Sequence, residues 1–322
     1  MMKVCIALAV LIGLTGVNAY AERFPTQPIR MIIPFAAGGA SDSLARIVAR
    51  HLEKEVGQPV IPENMAGAGG ILAGQTVARA KPDGYTVLFG TIGTNAILPV
   101  VQGSSLKYDS LKDLLAVAPL HELPLVLIVQ KSIAMPDARS LVEYAKNHPG
   151  KLTFGSSGIG SVQHLSGELF NARAHIDTLH VPFKGGGAAV PALLGDQISM
   201  IFEPMPSAMS AVRSGRVLAL GVTSETRSAS WPDLPTLKEQ GLAGMEINAW
   251  TGLFAPAGTS SEVVDRLRTA ISNLSRNPLY LEQLASAGTS PVVGGYDRFP
   301  AFVESEVRRW KSVAQQAGIA AQ

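Results

Sequence analysis

The chain has 322 residues, 47% of them hydrophobic, with 27 basic against 25 acidic residues and a single cysteine. That length and apolar content suffice for two domains with cores of their own. One cysteine excludes a disulfide framework, and a near-neutral balance without basic runs excludes nucleic acid and polyanionic surfaces as partners.

The first segment reads as an export signal. Lys3 supplies a positive start, Cys5 to Val17 an apolar stretch, and Ala19-Tyr20-Ala21 a small-residue cleavage site. The apolar stretch is shorter than the roughly 20 residues a membrane span needs. Cleavage after Ala21 leaves a periplasmic chain that begins at Glu22 without cysteine.

Short apolar strands then alternate with helical patterns. Ile29 to Ile33 reads as a strand, and the turn Pro34 to Asp42 leads into a helix over Ser43 to Val56 with apolar residues at 44, 47, 48, 52 and 56. A short strand at 59–62, a glycine-rich turn at 67–70 with a helix to about Ala80, and a strand at 85–90 follow. The middle repeats the plan, with strands at 125–129, 152–155, 180–183, 198–202 and 219–222 and helices at 140–147, from Ser161 to about Ala172, and from 185–187 to Leu194. Residues 227–244 read as a connection with a short helix, 250–254 as a strand, and 262–274 and 302–315 as two closing helices. Such alternation predicts two doubly wound α/β units, with ligands at the carboxyl ends of the strands. The chain is expected to cross between domains near 124 and 246, giving domain 1 as 22–124 with 246–322 and domain 2 as 125–245.

Enzymatic motifs are missing. At the Gly-x-Gly starts the third glycine of a dinucleotide fingerprint is replaced by Leu72, Gln163 and Val190, and Gly150-Lys151 is followed by Leu152 rather than Ser or Thr. No nucleotide cofactor is expected. Six histidines lack metal-ligand spacing, so no metal is expected either. Ser161, His164 and Glu168 share one helix start, which leaves a secreted serine hydrolase as the competing class; the plainer reading has Ser161 capping the helix.

The glycine-rich turns carry the stronger signal. Gly38 and Gly39 permit a tight turn, and the free amides of the next helix suit an anion. Asp42, in that helix's first turn, either caps the helix or accepts a hydrogen bond from a ligand. Ser156, Ser157 and Ser161 add neutral hydroxyls. Lys184 either neutralises a ligand carboxylate or is solvated, and Glu203 stands either in the cleft or in the framework. Arg46 and Arg50 lie beyond the first turn and read as structural.

The turn at Pro34 to Asp42, together with Glu63 to Gly70, Lys81 to Thr86, Asn147 to Ser161, His164 to Leu169, His180 to Gly185, Leu193 to Gly195 and Trp250 to Thr259, resembles the Bug-type (TctC-like) solute receptors of the tripartite tricarboxylate transporter family. In this order and spacing the match is specific and runs to near residue 320. The resemblance implies a monomeric periplasmic receptor of type II binding-protein fold whose two domains close on a small carboxylate, without catalysis, for membrane transporter subunits or a sensor kinase. It implies that backbone amides and bridging waters hold the carboxylate. Carried over by position, the ligand-binding candidates are Phe35, Ala37, Gly38, Gly39, Ser41, Asp42, Ala68, Gly69, Thr91, Gly93, Asn95, Ser156, Ser157, Gly158, Ser161, His164, Lys184 and Glu203. Departures from the family pattern are Gly186-Gly187 in place of larger residues, Ser199 in place of an acidic one, and Glu203 in place of a shorter aspartate.

Overall fold

A computed structural model describes residues 24–133, 135–183, 186–316 and 318–319; the expected signal peptide with its cleavage site, and Lys184, lie outside the described residues. The chain begins with β1 (Ile29–Ile33), α1 (Ala40–Val56), β2 (Val60–Asn64), α2 (Ile71–Ala78) and β3 (Thr86–Thr91). The apolar stripe of α1 is buried at Leu44, Ile47, Val48, Leu52 and Val56, and left-handed Gly57 ends the helix by donating its N–H to the Glu53 carbonyl. Each such side chain withdrawn from water contributes about 1.5–3 kcal/mol.

After the short α3 (Leu98–Gln102) comes β4 (Leu114–Gln130), a strand of 17 residues that organises the whole sheet. Its first part pairs antiparallel with β9 (Asn248–Pro256), from Leu114 opposite Pro256 to Pro124 opposite Asn248. From Leu125 onward it pairs with β7 (Met200–Pro204) on one side and β8 (Val217–Val222) on the other. Two prolines fit a strand this central only where the ladder is broken. Pro119 stands at a register shift, and Pro124 at the point where the partner changes.

The remaining elements are α4 (Ala138–Asn147), β5 (Thr153–Ser156), α5 (Val162–Ala174), β6 (Leu179–Pro182), α6 (Gly186–Leu194) and α7 (Met205–Arg213), then α8 (Ser261–Leu274), α9 (Pro278–Ser286), β10 (Ser290–Pro291) and α10 (Phe299–Gln316). The sheet order is β2-β1-β3-β9-β4-β7-β5-β6, parallel within β2-β1-β3 and β7-β5-β6 and antiparallel through β9 and β4. This is the α/β class expected, with two parallel wings joined by long crossover strands.

Four expectations need correction. The strand expected at 125–129 is the second half of β4, whose first half falls in a stretch the periodicity left unassigned. Helices α7 and α9 were not anticipated. The short helix expected within 227–244 does not form. There the chain bonds to the edge of β8 instead, with Val222 N–H donating to the Pro235 carbonyl and Leu237 N–H to the Val222 carbonyl. Pro232 and Pro235 cannot donate within a helix.

Candidate functional site

A cavity of about 340 Å³ opens between the two wings, where the carboxyl ends of β1, β3, β5 and β7 meet. From the first wing it is walled by the β1–α1 turn (Phe35, Ala37, Gly39, Ala40, Ser41), by Gly69 and by Thr91 to Gly93. Gly38 takes a left-handed φ of +87°, which a side chain strains, and Gly39 then caps α1 from an extended conformation without a side-chain acceptor. The amides that open α1 are therefore left uncovered beside the cavity.

Asp42 is directed elsewhere. One carboxylate oxygen accepts from the Gly38 N–H at 2.9 Å, and the other from Arg46 Nε and Asn64 Nδ2, each at 2.9 Å. Burial alone pushes this carboxyl up, but the Arg46, Gly38 and Asn64 hydrogen bonds outweigh it and hold the group below the ordinary aspartate range. Asp42 pins the turn from behind, and Arg46 is its partner rather than a ligand clamp. Asn95 is also fully buried, in the π-helical turn 93–97, with its Oδ1 accepting from Thr94 Oγ1 at 2.7 Å.

The second wing presents side chains. Ser157 Oγ donates to Gln163 Oε1 at 2.6 Å, Gln163 Nε2 donates to Glu203 Oε2 at 3.3 Å, and Ser207 Oγ donates to Glu203 Oε1. Ser157, Gln163 and Glu203 all line the cavity. Glu203, next to last in β7, is 3% exposed; burial pushes its carboxyl up to about 7, offset only in part by the Ser207 and Gln163 hydrogen bonds. Ser161, on the wall, caps α5 by accepting from the His164 backbone N–H at 3.2 Å.

The crossover strands form the floor, with Leu123 of β4 and Ala249, Trp250 and Thr251 of β9. His121 bridges Thr251 Oγ1 (2.9 Å) and the Tyr280 hydroxyl (2.7 Å) through its two ring nitrogens, so a buried relay orients one hydroxyl of the floor. Trp250 is held by its indole N–H donating to Glu306 Oε2 at 3.0 Å. The reading from sequence left these floor residues out of the site, although Trp250 and Thr251 stood in one of its motifs. Nothing local shows that a central strand passes beneath a cavity.

Of the residues singled out from sequence, Phe35, Ala37, Gly39, Ser41, Gly69, Thr91, Gly93, Ser157, Ser161 and Glu203 lie on the cavity wall. Gly38, Asp42, Ala68, Asn95, Ser156, Gly158 and His164 are not part of that wall. Ser156 is buried and its Oγ hydrogen-bonds His180 Nε2 at 2.7 Å.

The fold does assemble a cluster that spacing did not suggest. Donor atoms of His164, Glu168 and His180 lie within 4.8 Å of one another, and the two imidazoles stack with centroids 4.1 Å apart. His164 Nδ1 accepts from the Gly160 N–H at 3.3 Å, so the neutral ring carries its proton on Nε2, towards Glu168 Oε1 at 3.7 Å. That nitrogen has no lone pair to offer a metal. Burial pushes both rings down to about 4. The same geometry removes the basis for a serine hydrolase, because the His164 ring is engaged by Gly160 and Glu168 and Ser161 Oγ meets only its backbone.

Comparison with known proteins agrees with this architecture. Residues 44–319 match the TctC family, described as the tripartite tricarboxylate transporter family receptor. The protein BugT of Bordetella pertussis is 32% identical over 99% of this chain and 98% of its own length. A solved structure of an R. palustris protein with adipate has a TM-score of 0.88 at 32% identity, covering 92% of this chain and 99% of that one. MatC from Rhodopseudomonas palustris with bound malate gives 0.84 at 35%, covering 90% and 99%. The chain belongs to the TctC family of tripartite tricarboxylate transporter receptors. It is a solute-binding receptor and not an enzyme, as are its relatives, which include the periplasmic binding protein BugD. No helix among the described residues is long and apolar enough to cross a membrane.

Proposed function

We propose that this receptor is exported with cleavage after Ala21, works as a monomer in the periplasm, and captures a small carboxylate in the cavity between its wings for delivery to transporter subunits or a sensor kinase in the membrane. The observation that carries the reading is the uncapped start of α1, whose first residues Ala40 and Ser41 lie on the cavity wall while Asp42 is turned away. Amides there attract a carboxylate through both hydrogen bonding and the helix dipole, directly or through ordered water. The malate and adipate bound by two relatives are guests of this kind. Residues 22–124 with 246–322 act as one body and 125–245 as the other. The exchange of β4 partners at Pro124 and Leu125 supports hinge closure about the crossover strands.

Ala40→Pro tests the reading directly. Proline is tolerated at the first position of a helix, so folding persists while one amide donor disappears. Isothermal titration against a panel of small mono- and dicarboxylates should show every binder weakened roughly tenfold, the worth of one hydrogen bond to a charged group. Unchanged affinities would move the carboxylate away from α1. A parent chain that binds none of the panel would overturn the reading.

A further inference from the structure

The two walls offer a guest opposite things, and the inference below rests on the carboxylate-receptor reading just proposed. The α1 wall offers uncovered N–H groups. On the opposing wall every polar side chain in the relay is oriented towards one acceptor: Ser157 donates to Gln163, Gln163 donates to Glu203, and Ser207 donates to Glu203 from the other side. An ionised carboxylate accepts at about four positions, and here two protein donors are in place, both neutral. Glu203 is buried, and among the described residues lining the cavity none is lysine or arginine. Burying a carboxylate is costly unless it is paired with a cation or fully hydrogen-bonded. Pro204 and α7 follow at once, so the carboxylate also lies near a helix start that favours negative charge.

We infer that Glu203 receives the far end of the ligand, and that the cleft selects carboxylates whose other end is an ammonium, and after it a hydroxyl, over dicarboxylates of equal length. A guest with its carboxylate on the α1 amides and an ammonium at Glu203 satisfies both walls. A second carboxylate at Glu203 meets a like charge, and an alkyl end leaves the acceptor unpaired. The apolar remainder of the cavity, which includes Phe35, Ile92, Leu123 and Trp250, suits a hydrocarbon body between the two ends.

The test is a matched series at two lengths, titrated calorimetrically at pH 8.5, where Glu203 is ionised and the ammonium groups are still charged: 4-aminobutanoate, 4-hydroxybutanoate, butanoate and succinate, then 6-aminohexanoate, 6-hydroxyhexanoate, hexanoate and adipate. At the length that fits, the amino acid should bind at least roughly tenfold tighter than the dicarboxylate, with the hydroxy acid between them. Glu203→Gln should abolish or invert that ratio, its folding being checked by thermal melting. A dicarboxylate that binds the parent as tightly as the amino acid overturns the inference whether or not the variant folds. So does a ratio that survives Glu203→Gln, or an absence of binding across the series. Hexylamine separates the two levels. If it binds as tightly as 6-aminohexanoate, the carboxylate end contributes nothing and the receptor reading fails, while the preference for a donor at Glu203 stands.

Discussion

The two walls of the cavity solve the same problem with different parts. The first wing presents backbone: the α1 amides, Gly69, and the turn after β3, with the Asp42 carboxylate folded back onto Gly38, Arg46 and Asn64. The second wing presents side chains, a relay from Ser157 through Gln163 to buried Glu203. Backbone donors survive every substitution except proline, so the first wall suits a feature shared by many ligands. Side chains can be exchanged one at a time, so the second suits what distinguishes them.

The largest expected consequence is electrostatic. Glu203 keeps its proton to about pH 7 when folded, against the ordinary value of 4.5 when unfolded, so the folded state holds more protons between those values and stability falls as pH rises through that window. The stability of Glu203→Gln relative to the parent should therefore rise by about 3 kcal/mol from pH 4.5 to pH 7. Urea denaturation across that range measures it; a constant difference would show that Glu203 is not buried as described. The acid side has the opposite sign. His164, ordinarily near 6.5, is held down to about 4, so its contribution to stability is present above pH 6.5 and is lost as pH falls towards 4. His164→Asn should flatten that acid limb.

Gly70→Ala comes next and strikes the backbone wall. Gly70 has φ of +106°, and an added Cβ would stand 2.4 Å from Thr94 Cγ2 and 3.1 Å from Pro34 Cβ. Both strain and crowding apply, so a loss of about 2–3 kcal/mol is expected in urea denaturation. A near-neutral result would mean that the turns of this wall are not packed on one another.

The smallest effect sharpens the contrast. Asp42→Asn removes the charge from a partly exposed pair with Arg46 while an amide oxygen can still accept from Gly38. A stability loss of about 1 kcal/mol is expected, with carboxylate affinity changed less than about threefold. Should affinity collapse while stability holds, Asp42 faces the ligand after all.

Much of the framework was legible in the sequence because its signals are local. The period of α1, the glycines of the β1–α1 turn and the cap at Ser161 are each decided within a few residues. The ordered motifs from Pro34 to Thr259 pointed to the receptor family. The first half of β4 was not legible, since Pro119 and Pro124 interrupt its pattern and only pairing with β9, more than a hundred residues later, makes it a strand. Helix α7 follows a strand so closely that its apolar residues merge with those of β7.

By itself, then, the sequence determined an α/β chain with glycine-rich turns at the carboxyl ends of its strands, because periodicity and turn chemistry are properties of neighbouring residues, and its ordered motifs carried the resemblance to the receptor family. Only the tertiary structure decided which side of each turn faces the cavity. It withdrew Asp42 and His164 into the framework, brought Leu123, Trp250 and Thr251 up as the floor, and left Glu203 as the acceptor opposite α1. Those assignments depend on where distant strands cross, and no spacing along the chain encodes that.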